Sequence, residues 1–107
     1  IDYGLQVREA RLRLTAQTKQ AEIAVRRAYL EWDGSRKSHE AAVKGAEIAK
    51  ENFTLTEKSF REGLVGSADL ADAHTVMMEA DYGAITEKYD LALATLGLQK
   101  SAGMLKR

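Results

Sequence analysis

A short break that contains two glycines divides this chain into two long stretches of helical sequence pattern. Gly63 and Gly66 lie in the segment 60–73, and glycine commonly ends helices because it reaches left-handed backbone angles without a steric penalty. Ser67 is predicted to cap the next helix through its hydroxyl oxygen. Asp69, in the first turn, adds a negative charge near the positive end of the helix dipole. The break therefore predicts a helix, a tight turn and an antiparallel return helix.

The composition favours the same architecture. Among 107 residues there is no proline, 45% are hydrophobic and 30% are charged, a mixture typical of long coiled helices. We therefore predict an all-α fold, a long antiparallel helical hairpin of the coiled-coil type that forms one unit over residues 1–107. Its first helix runs from about 3 to 62, its tip turn covers 63–67, and its second helix runs from about 68 to 101.

Charge and residue content exclude several classes of function. The 16 basic and 16 acidic residues cancel, so no electrostatic footprint for nucleic acid or anionic lipid is expected. No apolar run approaches the roughly 20 residues that cross a bilayer. His39 and His74 are far apart in the hairpin, and no metal-ligand spacing or convincing acid–base pair is found. We expect no enzyme activity, no catalytic residue, no metal and no cofactor.

A heptad pattern runs along both predicted helices and defines the face on which they pack. We call these positions the seam. In the first helix it consists of Val25, Ala28, Trp32, Ser35, His39, Ala42, Ala46, Ala49, Phe53, Thr56 and Phe60; in the second it consists of Ala73, Met77, Ala80, Ala84, Glu87, Leu91, Ala94 and Leu98. Because alanine is frequent on both seams, the two backbones are expected to approach closely.

The two predicted helices differ in length, which leaves part of the first without an intrachain partner. About thirty residues at the amino end, among them Leu12, Leu14 and Ile23, extend past the simple hairpin. A two-helix hairpin also buries little surface against the entropy of ordering it. We therefore expect self-association, or a place in a larger helical assembly.

The order of several segments resembles the carboxy-terminal repeat of TolC-type outer-membrane efflux proteins. The matching segments are Ala46-Glu-Ile-Ala-Lys-Glu-Asn52, Phe60-Arg-Glu-Gly-Leu-Val-Gly-Ser-Ala-Asp-Leu-Ala-Asp-Ala73, Tyr89-Asp-Leu-Ala-Leu-Ala94 and Ser101-Ala-Gly103. The resemblance implies a hairpin from a periplasmic α-barrel, in the periplasmic portion of a Gram-negative outer-membrane protein. It implies a trimeric export duct and a periplasmic adaptor, or membrane fusion, protein as partner. Drugs, metal ions and proteins, the last as in type I secretion, all stay open as cargo.

The resemblance also assigns roles to residues near the tip turn. The adaptor-docking loop of the family corresponds to Gly63, Leu64, Val65, Gly66 and Ser67. Asp69 and Asp72 match aspartates that in some members form a negatively charged constriction of the pore; the alternative is helix-start electrostatics for Asp69 and a solvated surface position for Asp72. Phe60 and Val65 depart from the family, which can carry tyrosine and arginine there, so a latch built from those two residues is not expected.

A second interpretation uses the same residues without transport. In it the chain is a generic antiparallel coiled-coil interaction module, such as an adaptor arm or a helical spacer. A tunnel helix needs a second apolar flank for its neighbour, whereas a free-standing coiled coil is polar there. The off-seam residues Val43, Ile48, Leu55, Val76 and Ile85 could form such a flank, which favours the tunnel.

Overall fold

The computed structural model describes residues 2–105 as two helices joined by a short turn. Helix α1 is Asp2–Arg61 and helix α2 is Ser67–Leu105. Both are rich in strong helix formers, and no proline interrupts them. The prediction of an all-α helical hairpin is confirmed. Ile1, Lys106 and Arg107, the ends of the predicted 1–107 unit, lie outside the described residues.

Helix α1 ends in a Schellman motif built on Gly63. The N–H of Leu64 donates to the carbonyl of Ser59 at 2.9 Å, and the N–H of Gly63 donates to the carbonyl of Phe60 at 3.0 Å. Gly63 has φ of +77°, the left-handed conformation that this motif requires and that side chains disfavour. Within residues 2–105 it alone has a positive φ. The glycine at position 63 therefore ends α1 as the sequence predicts.

Helix α2 begins differently from the prediction. The first intrahelical hydrogen bond runs from the Leu70 N–H to the Gly66 carbonyl at 3.3 Å, which makes Gly66 the N-cap and Ser67 the first helical residue. The Asp69 carboxylate accepts a hydrogen bond from the Gly66 N–H at 3.2 Å. This is the reach-back half of a capping box, with aspartate in place of the usual glutamate. The prediction that Ser67 caps α2 was wrong, because the Gly66 carbonyl accepts the first intrahelical hydrogen bond and Ser67 already lies inside the helix.

The chain divides into two compact units, and the first comprises residues 34–92. It contains the turn and the facing parts of both helices. Every predicted seam position in it is buried or half-buried except Phe60, which is 40% exposed because α1 ends one residue later. Ala49 and Ala73 are the most enclosed, at 7% exposure each. Small side chains therefore form the centre of this unit.

The second unit comprises residues 2–33 of α1 and 93–105 of α2, within the described range. Val25, Ala28 and Trp32 are half-buried, as are Ala94 and Leu98. The rings of Tyr29 and Trp32 lie with centroids 5.8 Å apart and planes inclined by 39°. Residues 8–20 are all exposed, as expected for a helix segment without an intrachain partner.

Candidate functional site

The turn presents one large apolar side chain to solvent. Leu64 is 74% exposed, whereas the adjacent Val65 is half-buried. In a Schellman motif the residue after the glycine often packs back on the last helical turn, and the exposure of Leu64 shows that it does not. Because two backbone hydrogen bonds fix the turn, Leu64 is displayed from a defined backbone rather than from a loose loop.

The remaining predicted docking residues leave space around Leu64. Gly63, Gly66 and Ser67 are exposed, and a Cβ placed on either glycine would meet no atom within 4 Å. A partner can therefore approach the backbone of the turn closely. These five predicted residues lie together at one end of the 34–92 unit, where Gly63, Gly66 and Ser67 add little bulk near the exposed Leu64 and Val65 is half-buried.

The two candidate pore residues occupy different environments. Asp69 is exposed, and its carboxylate accepts the hydrogen bond from the Gly66 N–H. Asp72 is exposed one turn further along α2 and carries no ion pair within residues 2–105. Asp69 thus accepts a local hydrogen bond at the start of α2, whereas Asp72 occupies an exposed surface position.

Two contacts close to the turn involve residues that the sequence analysis did not assign to the site. The rings of Phe53 and His74 meet edge to face, with centroids 5.5 Å apart. Arg61, in the last turn of α1, forms an ion pair with Glu57 four residues earlier. The four-residue spacing of Glu57 and Arg61 in the sequence could have indicated their ion pair. No sequence signal indicates the contact of Phe53 with His74, because it depends on how the two helices are rotated relative to each other.

The predicted second apolar flank is exposed. Val43, Ile48, Leu55, Val76 and Ile85 are between 36% and 66% exposed. Ile48 and Val76 line one open groove along the 34–92 unit, whose floor is formed by Ala49 and Ala80. The hairpin thus presents apolar surface away from its seam, which a free-standing coiled coil has no reason to expose.

Within residues 2–105, no group of three or more histidine, cysteine or acidic side chains is arranged to hold a metal ion. In the same range neither helix has a stretch both long and apolar enough to cross a membrane. The cavities of the 34–92 unit are open grooves along the helices, such as the one over Ala49 and Ala80. The exposed turn and the apolar grooves are surfaces suited to contact other helices.

Comparison with known protein families gives one match. The model of the family described as outer membrane efflux protein matches residues 4–104, nearly the whole described chain. A search of curated proteins and a search of solved structures found no match.

Proposed function

Because the chain belongs to the outer membrane efflux protein family, a family of transport conduits rather than enzymes, we propose that it is part of the periplasmic α-helical tunnel of a trimeric efflux duct. In this proposal the turn at 63–67 docks a periplasmic adaptor protein. The chain is then the periplasmic portion of a Gram-negative outer-membrane protein.

The observation that carries the docking proposal is the combination of an exposed leucine and a fixed backbone at the turn. Leu64 is 74% exposed, and the turn that bears it is held by the Gly63 and Leu64 amides. Apolar side chains on preorganised elements bind partners with little loss of conformational entropy. The small residues of this turn, Gly63, Gly66 and Ser67, allow the turn of an adaptor hairpin to meet it end to end.

Assembly into a tunnel is supported by the apolar flank that the 34–92 unit exposes. Ile48, Leu55 and Val76 are 66%, 64% and 51% exposed. Neighbouring tunnel helices would cover this flank.

Asp69 and Asp72 are the residues that we propose to line the periplasmic end of the pore. They lie three residues apart on one face of α2 and are both exposed. Threefold symmetry would gather them into rings of negative charge that favour cations. The Asp69 carboxylate accepts the capping hydrogen bond from the Gly66 amide, and Asp72 is left to act through its charge alone.

The test is the solution mass of the chain by light scattering, alone and mixed with the isolated hairpin of a candidate periplasmic adaptor. The native chain is compared with Leu64→Asp, which changes the turn only. The matched control is Leu93→Asp, since Leu93 is a similarly exposed leucine, at 67%, outside the turn. We expect the complex to be lost with Leu64→Asp and kept with Leu93→Asp, while helicity by circular dichroism and the mass of the chain alone stay unchanged.

The opposite pattern supports the generic coiled-coil module. If no adaptor hairpin binds, or if Leu64→Asp binds as well as the native chain, the turn is only a connection between helices. Loss of self-association in Ala46→Asp under those conditions would assign the interaction to the seam instead.

A further inference from the structure

Two of the three methionines and one of the two histidines of this chain lie within five consecutive residues near the start of α2. They are His74, Met77 and Met78, and we call them the soft-ligand cluster. Thioether sulfur is a soft, uncharged ligand, and imidazole nitrogen binds copper well. A cluster of these two groups therefore favours a soft monovalent ion such as Cu(I) over harder cations.

Helix geometry places the three side chains on one face of α2. At 100° per residue, Met78 lies about 40° to one side of His74 and Met77 about 60° to the other, each about one turn further along the helix. Residues at these spacings have Cβ atoms about 5–6 Å apart. Long side chains on a helix point back toward its amino end, so both thioethers extend over the turn that carries the imidazole. The three ligand groups can therefore meet at one ion.

The imidazole of His74 is restrained, and its nitrogens are available. Its ring meets the Phe53 ring edge to face, with centroids 5.5 Å apart. Within residues 2–105 the His74 side chain forms no hydrogen bond and no ion pair. Because the ring is already held by Phe53, less conformational entropy is lost when a metal binds it.

The cluster is open to solvent on one side and packed on the other. His74 is exposed and Met78 is 56% exposed, whereas Met77 is half-buried in the seam. An ion arriving from solvent would meet the imidazole and Met78 first, and Met77 would complete the coordination from the seam side. Methionine is unbranched and has three rotatable bonds, so both thioethers can adjust to the ion.

Ligands that divalent ions prefer are scarce around His74. No carboxylate and no cysteine stands three or four residues from it in either direction. Asp81 lies on the same face but seven residues, or about 10 Å, further along α2, too far to share an ion whose bonds are about 2 Å long. On α1, Glu57 is ion-paired with Arg61. Zinc, calcium and magnesium therefore lack the additional nitrogen, thiolate or oxygen ligands that they need.

We propose that His74, Met77 and Met78 bind one soft monovalent metal ion, Cu(I), for which Ag(I) is a chemical analogue. Asp72 precedes His74 by two residues and Val76 precedes Met78 by two, which is about 200° around the helix. The site thus lies on the side of α2 away from the proposed pore residue and from the flank that tunnel helices would cover. One chain supplies all three ligands, so the site does not rest on adaptor docking or on tunnel assembly.

The test is a titration of the chain with Ag(I), followed by NMR of the methionine methyl groups. The chain has three such groups, and Met104, on the last turn of α2, is an internal control. We expect the methyl signals of Met77 and Met78 and the ring signals of His74 to shift and to saturate at one equivalent of Ag(I). The Met104 methyl signal should stay unchanged, and Zn(II) should shift neither of the other two methyl signals.

Two variants identify the ligands. His74→Phe keeps a ring beside Phe53 but removes both nitrogens, and Met78→Leu keeps an apolar side chain of similar size but removes the sulfur. Each is expected to weaken Ag(I) binding by at least about tenfold in Kd, because losing a ligand costs at least as much as losing an outer-shell partner. The matched controls, His39→Phe and Met104→Leu, should bind like the native chain. Anaerobic competition with a coloured Cu(I) chelator should give the same order for Cu(I).

Several results would overturn the proposal. One is a native chain whose methionine methyl signals do not shift, or shift only in a millimolar excess of Ag(I). Another is a Met104 signal that responds as strongly as those of Met77 and Met78. The proposal also fails if Met78→Leu binds Ag(I) like the native chain, or if the chain binds Ag(I) but does not take Cu(I) from the chelator.

Discussion

Replacing Gly63 with alanine is expected to destabilise the hairpin although alanine is the better helix former. With φ of +77°, position 63 places an alanine Cβ against the backbone, at a cost of about 1–2 kcal/mol. Gly34→Ala is the matched control, because Gly34 lies inside α1 without a positive φ and with open space around it. There the substitution is expected to stabilise the helix by about 0.8–1 kcal/mol. The two Gly→Ala changes should therefore differ by about 2–3 kcal/mol, with opposite signs relative to the native chain.

The measurement is urea unfolding followed by circular dichroism at 222 nm. All three chains must be compared at one protein concentration, since self-association adds to apparent stability. Equal m-values would show that the change lies in stability rather than in the extent of unfolding. A Gly63→Ala chain as stable as Gly34→Ala would refute the reasoning, because it would mean that the left-handed angle does not determine how α1 ends.

Two other substitutions test the ends of the helices and their packing. Asp69→Ala removes the acceptor of the Gly66 amide hydrogen bond and a charge at the helix dipole, and should lower the free energy of unfolding by about 1 kcal/mol. Asp72→Ala loses no such hydrogen bond and should change the free energy of unfolding by less than about 0.5 kcal/mol. Equal effects of the two substitutions would argue against the cap. Phe53→Ala removes a half-buried ring and its contact with His74. It should lower the free energy of unfolding by about 2 kcal/mol, less than for a fully buried ring. Unchanged urea unfolding would show that the ring contributes little.

The sequence predicted the architecture well because its strongest signals are periodic. The seam positions on both helices are buried or half-buried in the structure, apart from Phe60. This follows because a heptad repeat that continues over many turns places its residues on one face of the helix. The position of Gly63 was also predictable, because few residues other than glycine adopt the angle that ends α1. These features depend on local conformation and on spacing along one helix.

The sequence did not predict which side chain forms a given hydrogen bond when several are near. It also did not predict contacts that depend on the rotation of one helix relative to the other. The sequence predicts a cap at Ser67 and only a favourable charge at Asp69, and the structure shows that the Asp69 carboxylate accepts a hydrogen bond from the Gly66 amide. The contact of Phe53 with His74 requires the rotation of α2 relative to α1, which a seam pattern fixes only coarsely. The exposure of Leu64 likewise depends on whether it folds back on the last turn of α1.

The central claim, that the turn docks a periplasmic adaptor, is tested most directly by site-specific photocrosslinking in cells that express the efflux protein. A photoreactive amino acid replaces Leu64 in one variant and the similarly exposed Leu93 in the other. The account predicts an adaptor crosslink from position 64 and none from position 93. An adaptor crosslink from position 93 alone, or from neither position while export continues, would contradict it.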